Sequence, residues 1–146
     1  MTTVAEILKS KPDSQVYAVA PNATVFEALR LMSEKGIGAL LVKEADNIVG
    51  IFTERDYARK IALMGRASAH TPIAEVMTTS VLFVHSNQSS EECMQLMTGK
   101  RLRHLPVVDD GQLVGLISIG DLVKEIISAQ QFTIAQLEHY IHGGVH

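Results

Sequence analysis

The sequence has a single cysteine, no long apolar run and no basic N-terminal start followed by an apolar segment. One cysteine cannot form a disulfide within a monomer, which is typical of proteins in a reducing cytoplasm. No apolar stretch approaches the roughly 18 residues that a membrane-spanning helix needs, and no secretion signal is expected. We therefore expect a cytoplasmic protein with no membrane partner.

An excess of basic charge is also missing, since the chain has a net charge of −3. Nucleic acid and anionic membranes are therefore not expected as partners. Catalysis has little support, because no general base and activated nucleophile occur together in a motif. Cys93 lies beside methionines of a predicted helix and is expected to be a small core residue. No metal is expected, because no acidic or cysteine partner accompanies the histidines of the C-terminal segment, His139, His142 and His146.

What the sequence does contain is an internal repeat. Residues 24–61 align with residues 89–126 without a gap at an offset of 65, and ten of the 38 pairs are identical. A repeat of this length indicates one structural unit used twice. Each copy alone would bury too little surface to be robust, so we expect the two copies to pack against each other through their sheets.

Both copies predict the same order of elements: a helical lead-in, a short strand, a helix, a two-stranded hairpin and a helix. The lead-ins are Val4–Leu8 and Ile73–Met77. The predicted fold class is mixed α/β, built from two pseudo-symmetric βαββα units. The predicted boundaries are 1–66 for the first copy, 67–128 for the second and 129–146 for a helical tail.

The sequence also predicts the limits of two strands and two helices. The first strand of each copy is predicted at Val16–Val19 and at Val81–Val84. The helix after each hairpin is predicted from Glu54 to about Met64 and over Asp121–Ser128, with Gly65 ending the first of them.

Each hairpin runs into the pattern Gly-x-x-Thr/Ser-x-x-Asp and then a helix. The residues of this motif are Gly50, Thr53 and Asp56 in the first copy and Gly115, Ser118 and Asp121 in the second. A strand-to-helix turn offers free N–H groups and the positive end of a helix dipole to an anion such as phosphate. A carboxylate in the first helical turn can accept from the two hydroxyls of a ribose. The same pattern is also close to a capping box, which needs no ligand.

The doubled order of elements, with Arg103–Asp109 and Gly115–Asp121, resembles a tandem pair of CBS domains over about residues 2–128. The resemblance implies binding of an adenosine ligand (AMP, ADP, ATP, NAD or S-adenosylmethionine) in clefts between the two copies. It assigns ribose binding to Asp56 and Asp121. It assigns phosphate binding to Thr53 and Arg55 at the first site and to Ser118, Arg103 and His104 at the second.

The resemblance also implies where the adenine lies. For the Asp121 site it implicates Tyr17, Ile37 and Gly38, and for the Asp56 site it implicates Val81, Leu82 and Leu102. The first copy has Gly38 and Ala39 where the second has Arg103 and His104, so we expect two unequal sites. The cluster around Arg103 also fits a solvated helix end, where cations suit the dipole.

We therefore expect a regulatory module that senses adenine nucleotides and signals energy or redox state to an unknown effector protein. A structural dimerisation module without a ligand, a sensor of S-adenosylmethionine and a nucleotide-dependent enzyme are the alternatives. A homodimer is expected from the tail, whose apolar residues are Phe132, Leu137, Tyr140 and Ile141. The alternative is that the tail folds back on its own chain.

Overall fold

The structure of the protein, a computed structural model, describes residues 2–12 and 15–142, with only the backbone of His142. It has the expected mixed α/β composition. The helices and strands, in chain order, are α1 Val4–Ser10, β1 Ala18–Val19, α2 Val25–Lys35, β2 Ala39–Glu44, β3 Asn47–Thr53, α3 Glu54–Asp56, α4 Ser90–Lys100, β4 His104–Asp109, β5 Gln112–Ser118 and α5 Ile119–His142.

The chain forms two compact units, and each follows one sequence copy except at the lead-in. The copy-1 unit is Gln15–Leu82, and the copy-2 unit combines the segment up to Ser14 with the chain from Phe83 onward. Helix α1, the lead-in of the first copy, therefore belongs to the copy-2 unit. The lead-in of the second copy, a 3₁₀ turn at Ile73–Glu75, belongs to the copy-1 unit. The boundaries drawn along the sequence at 66 and 128 stay a prediction.

The two hairpins have the same register. Ala39 pairs with Thr53 in β2–β3, and His104 pairs with Ser118 in β4–β5, 65 residues later. Both ladders shift register at the equivalent place, after Val42 and after Val107. The repeat therefore extends to the irregularities of the backbone, which supports the interpretation of one unit used twice.

The first strand of each copy is shorter than predicted. Val19 pairs in parallel with Val42 at the end of two-residue β1, and Val84 makes an isolated parallel bridge to Val107. The predictions Val16–Val19 and Val81–Val84 are wrong in length, because strand pairing is limited to Ala18 and Val19 in the first copy and to the bridge at Val84 in the second.

Each unit buries its own apolar core. The copy-1 core contains Val25, Ala28, Met32, Leu40, Val42, Phe52, Ile61, Ile73 and Val76. The copy-2 core contains Val4, Ile7, Val84, Cys93, Met97, Leu105, Val107, Ile117 and Leu122. The expectation that Cys93 is a small core residue is confirmed. Burial, with a smaller contribution from Glu92, raises the pKa of its thiol.

Several helix ends agree with the sequence, and others differ. Thr24 caps α2 by accepting from the N–H of Glu27 at 3.2 Å, and Gly36 ends that helix with a φ of 64°. The helix predicted from Glu54 to about Met64 is instead the short α3, continued by a π-helical segment at Tyr57–Ala62. The helix predicted over Asp121–Ser128 and the separate tail form one continuous helix, α5.

Gly50 and Gly115, the motif glycines of the two copies, make room for the lead-ins, each of which packs in the unit of the other copy. A Cβ on Gly50 would lie 2.6 Å from Sδ of Met77 and 3.0 Å from the carbonyl oxygen of Thr78. A Cβ on Gly115 would lie 2.6 Å from Cδ2 of Leu8. Met77 and Leu8 occupy equivalent positions in the two lead-ins. At both glycines, the atoms that approach the backbone closely therefore belong to a lead-in or to the residue after it.

Helix α5 exposes much of its apolar surface. Its exposed large apolar residues are Val123, Ile126, Ile127, Phe132, Ile134, Leu137, Tyr140 and Ile141. In the described part of the tail, Phe132, Ile134, Leu137, Tyr140 and Ile141 are exposed, which argues against a tail that folds back on its own chain. Within residues 2–12 and 15–142, no helix is both long and apolar enough to cross a membrane.

We expect Gly115→Ala to lower the free energy of unfolding by about 1–3 kcal/mol, because the new methyl group must displace Leu8. Gly99→Ala is the matched control, since nothing lies within 4 Å of its added Cβ in α4. That change should be neutral or stabilising by up to about 1 kcal/mol. Urea denaturation measures both. In a Leu8→Ala background the cost of Gly115→Ala should shrink, and an unchanged cost would show that Leu8 is not the obstacle.

Candidate functional site

The motif of each copy forms a reciprocal capping box where a strand enters a helix. In the first copy, Thr53 Oγ1 accepts from the N–H of Asp56 at 3.2 Å, and the N–H of Thr53 donates to Asp56 Oδ2 at 3.0 Å. In the second, Ser118 Oγ accepts from the N–H of Asp121 at 3.2 Å, and the N–H of Ser118 donates to Asp121 Oδ2 at 2.8 Å. The capping interpretation of the motif is thus confirmed, and the ligand roles stay predictions.

Both carboxylate oxygens of Asp56 have partners within the copy-1 unit. Oδ2 also accepts from Thr53 Oγ1 at 3.2 Å. Oδ1 accepts from Thr78 Oγ1 at 3.0 Å and pairs with Lys60 Nζ at 3.3 Å. Asp56 is buried, with 7% of its surface exposed. A ribose could reach this carboxylate only by displacing existing contacts.

The carboxylate of Asp121 is held on one side only. Oδ2 accepts from the N–H of Ser118 and pairs with Lys11 Nζ at 3.0 Å. No described residue donates a hydrogen bond to Oδ1, and no buried side-chain oxygen or nitrogen of the described chain lacks a partner. Oδ1 is therefore not completely buried, and a hydroxyl group could donate to it without displacing a protein donor.

The two predicted phosphate ligands of the second copy lie beside this junction. The carbonyl oxygen of Arg103 accepts from the N–H of Ile119 at 2.8 Å, which joins the start of β4 to the start of α5. His104 is the cross-strand partner of Ser118. Burial lowers the pKa of His104, the charges of Lys11 and Arg103 lower it further, and the Asp121 carboxylate opposes them. The backbone of Arg103 and the side chains of Ser118, Asp121 and His104 therefore lie near one strand-to-helix junction, and their binding roles stay predictions.

The first copy has an acid where the second has cations. A Cβ on Gly38, the equivalent of Arg103, would lie 3.0 Å from Oε1 of Glu54. The carbonyl oxygen of Gly38 accepts from the N–H of Glu54 at 3.1 Å, so the backbone geometry is the same as in the second copy. Arg55 follows in α3 and is exposed. The expected inequality of the two junctions is therefore visible in both charge and carboxylate contacts.

The residues predicted to hold adenine are partly exposed and belong to different units. Tyr17, Ile37 and Gly38 are in the copy-1 unit, whereas Asp121 is in the copy-2 unit. Tyr17 packs beside the copy-1 core and has Lys35 Nζ 5.2 Å from its ring centroid. The other three predicted contacts are Val81 and Leu82 in the copy-1 unit and Leu102 against the copy-2 core. Their grouping around a ligand stays a prediction.

Three contacts of the carboxylates were not predicted. Lys60 follows Asp56 by four positions on one helical segment, so the spacing of an i,i+4 ion pair could have indicated it. Thr78 and Lys11 have no such signal, because each comes from the segment after an exchanged lead-in. Lys11 is fixed further by donating to the carbonyl oxygen of Leu116 at 2.8 Å.

A groove of about 690 Å³ lies beside Asp121 within the copy-2 unit. Helix α1 and the segment after it form one wall, and α5 forms the other. Lys11 and Asp121 line one part of this groove, and Phe132 lines another. Its size is in the range of small-molecule sites. Ser118, Arg103 and His104 are not among the residues that line it.

No group of three or more potential metal-ligating side chains occurs in the part of the chain that the structure describes. His139 is included in that part. The side chain of His142 and the whole of His146 lie outside the described residues, so their predicted lack of a metal role is not tested.

Comparison with known proteins matches the CBS domain to two segments of the chain, residues 4–63 and 73–128. A CBS-domain protein of Burkholderia ambifaria MC40-6 is 59% identical with a TM-score of 0.86, and the match covers 91% of this chain and 99% of that one.

Two more distant solved structures bear on ligands and assembly. The CBS domain pair of MJ0100, in complex with 5′-methylthioadenosine and S-adenosyl-L-methionine, is 26% identical with a TM-score of 0.74, over 89% of this chain and 98% of that one. The hexameric CBS-CP12 protein of bloom-forming cyanobacteria is 29% identical with a TM-score of 0.74, over 84% of this chain and 70% of that one. These ligands and this assembly are properties of those proteins.

We expect the stability of the protein to fall as the pH is lowered below about 6.5, the ordinary pKa of histidine. Burial holds the pKa of His104 below that value, so between the two pKa values the unfolded chain binds more protons than the folded one. His104→Gln should flatten this part of the profile, measured by urea denaturation from pH 7.5 to 5.5. His70→Gln, at an exposed histidine, should leave it unchanged. A slope that persists in His104→Gln would contradict the assignment.

Proposed function

The chain is a pair of CBS domains and belongs to that family, and from this premise we propose that it is a regulatory module that binds an adenine nucleotide at the Asp121 junction. Proteins composed only of this domain are typically regulatory rather than catalytic. AMP, ADP, ATP and NAD share the two groups this junction suits, a ribose diol and a phosphate.

The observation that carries the proposal is the half-open carboxylate of Asp121. Oδ1 accepts no hydrogen bond from a described residue, while Oδ2 is held by Ser118. A ribose diol donates two hydrogen bonds, and a carboxylate oriented by its own capping box can accept both without a rearrangement of the backbone. Hydrogen bonds to a charged acceptor are the strong ones, at about 1.5–3 kcal/mol each.

The charges around Asp121 support an anionic group next to the ribose. Lys11 and Arg103 are cations near the start of α5, whose dipole also favours an anion, and burial lowers the pKa of His104 beside them. Phosphate would bring further negative charge to these two cations, of which Lys11 already pairs with Asp121. S-adenosylmethionine, one of the two ligands of the MJ0100 structure, would bring a positive sulfonium to the same place and so fits this junction less well. The other, 5′-methylthioadenosine, has no anionic group to offer.

The Asp56 junction is better suited to a structural role. Its carboxylate is buried and has partners on both oxygens, and the carboxylate of Glu54 lies beside Gly38, the equivalent of Arg103. We therefore propose that the two copies have diverged. The second binds the nucleotide, and the first uses the same motif to hold its helix and the segment at Thr78.

We expect Asp121→Asn to weaken AMP binding by about ten- to hundredfold, the equivalent of 1.5–3 kcal/mol. The amide can still accept from the N–H of Ser118, so the fold should survive. Asp56→Asn and the exposed Asp46→Asn should change the affinity little. Isothermal titration calorimetry with AMP measures all three.

Two results would contradict this part of the proposal. If Asp121→Asn binds every adenine nucleotide as wild type does, Asp121 does not hold the ribose. If Asp56→Asn weakens AMP binding as strongly, the two junctions are not divided in function as proposed.

We further propose that the output passes through a homodimer formed by α5. Val123, Ile127, Ile134, Leu137 and Ile141 follow the alternating spacing of three and four residues that makes one continuous stripe on a helix, with Gln130 between them. All five apolar side chains are exposed. A straight apolar stripe of about 27 Å suits the equivalent stripe of a second copy, related by a two-fold axis.

We expect the double change Ile134→Glu, Leu137→Glu to convert the dimer to a monomer, because it places two charges in the stripe. The matched control is Ala135→Glu, Gln136→Glu, which adds the same charges to exposed positions outside the stripe. A chain ending at Ser128 should also be monomeric. Light scattering at micromolar concentration gives the mass of each. A monomeric wild type, or a dimer that survives both changes, would contradict the proposal, and a hexamer like that of CBS-CP12 would show a further interface.

A further inference from the structure

The geometry points to Lys11 as the residue that makes the Asp121 junction selective for ligands with an anionic 5′ group. This inference rests on the proposed nucleotide function and narrows it. Lys11 lies 110 positions before Asp121, outside the aligned copies, and no motif marks it. It reaches the junction because the first lead-in packs in the copy-2 unit.

The position of Lys11 is determined by two contacts. Its Nζ donates to the carbonyl oxygen of Leu116 at 2.8 Å and lies 3.0 Å from Asp121 Oδ2. The first contact anchors the ammonium to β5 independently of the carboxylate. Lys11 therefore stays beside the junction when Asp121 takes another partner.

Both members of this ion pair are largely removed from water, with 22% of the Lys11 side chain and 14% of the Asp121 side chain exposed. Hydrogen bonds from a ribose diol to Oδ1 would draw the charge of the Asp121 carboxylate away from Lys11 without displacing it. A largely buried ammonium then needs a further counter-charge. A phosphate on the same ligand would supply this negative charge to the Lys11 ammonium.

The ligand classes are therefore separated by charge at the 5′ position. AMP offers phosphate to Lys11 when its ribose engages Asp121. Adenosine and 5′-methylthioadenosine offer no charge there, and S-adenosylmethionine places a sulfonium close to an ammonium. Lys11 should therefore strengthen the binding of AMP and weaken the binding of S-adenosylmethionine.

The first copy has a related lysine in a different setting. Lys60 pairs with Asp56 and also donates to the carbonyl oxygen of Val76 at 2.9 Å, and its side chain is 42% exposed. The carboxylate with which it pairs has protein hydrogen-bond donors on both oxygens. The selectivity is therefore assigned to Lys11 and the second junction alone.

The test measures affinities for AMP, adenosine and S-adenosylmethionine by calorimetry in four proteins. Wild type should bind AMP at least about tenfold more tightly than adenosine, and S-adenosylmethionine most weakly. Lys11→Gln should reduce the AMP-to-adenosine ratio by about tenfold, mainly through weaker AMP binding. Lys11→Arg should keep most of the ratio, and Lys9→Gln, at an exposed lysine of α1, should keep all of it.

The ratio is informative because both ligands are measured on the same folded sample. An equal loss for AMP and adenosine in Lys11→Gln would show a structural role and overturn the inference. A wild type that binds AMP and adenosine equally would also overturn it, even if Lys11→Gln failed to fold. In both cases the proposed nucleotide function survives. A wild type that binds none of the three ligands overturns that function and this inference together.

Discussion

In each half of this chain, a hydroxyl at the end of a strand and a carboxylate three residues later hold each other's backbone N–H. Thr53 with Asp56 and Ser118 with Asp121 form these reciprocal contacts. They determine where the helix starts and in which direction the carboxylate points. The first N–H of each helix also bonds to the start of the neighbouring strand, at Gly38 and Arg103. Two strands and a helix therefore meet at one point, and any ligand chemistry must be built around it.

The exchange of lead-ins then makes the two junctions different. Each lead-in packs on the hairpin of the other copy, where a glycine leaves room for Met77 or Leu8. The segments that follow deliver Thr78 to Asp56 and Lys11 to Asp121. In the first copy, the hydroxyl of Thr78 completes a buried cluster around Asp56. In the second copy, Lys11 pairs with Oδ2 of Asp121 and leaves Oδ1 without a protein donor. The same motif can therefore have a structural role in one copy and a binding role in the other.

Much of the fold could be predicted, because its signals are local. Apolar periodicity indicated α2 and its equivalent α4, Gly36 marked the end of α2, and the polar turns predicted both hairpins. The predictions failed where the structure depends on a distant partner. The first strands are short because few residues reach their hairpins, and the tail continues α5 because nothing in its apolar pattern ends the helix at Ser128. The assignment of Arg103 and His104 to the site of Asp121 came from the family resemblance, whereas no sequence signal indicated the contact with Lys11.

The sequence by itself determined the duplicated unit, the order of its elements and the motif residues at each junction, because repeats, helix caps and turn residues act over a few positions. It also showed that the second copy has Arg103 and His104 where the first has Gly38 and Ala39. Only the tertiary structure decided which carboxylate remains open and which cation lies beside it. The physical reason is that a charged side chain takes the partner that packing brings within about 3 Å, and here that packing joins segments more than 100 residues apart.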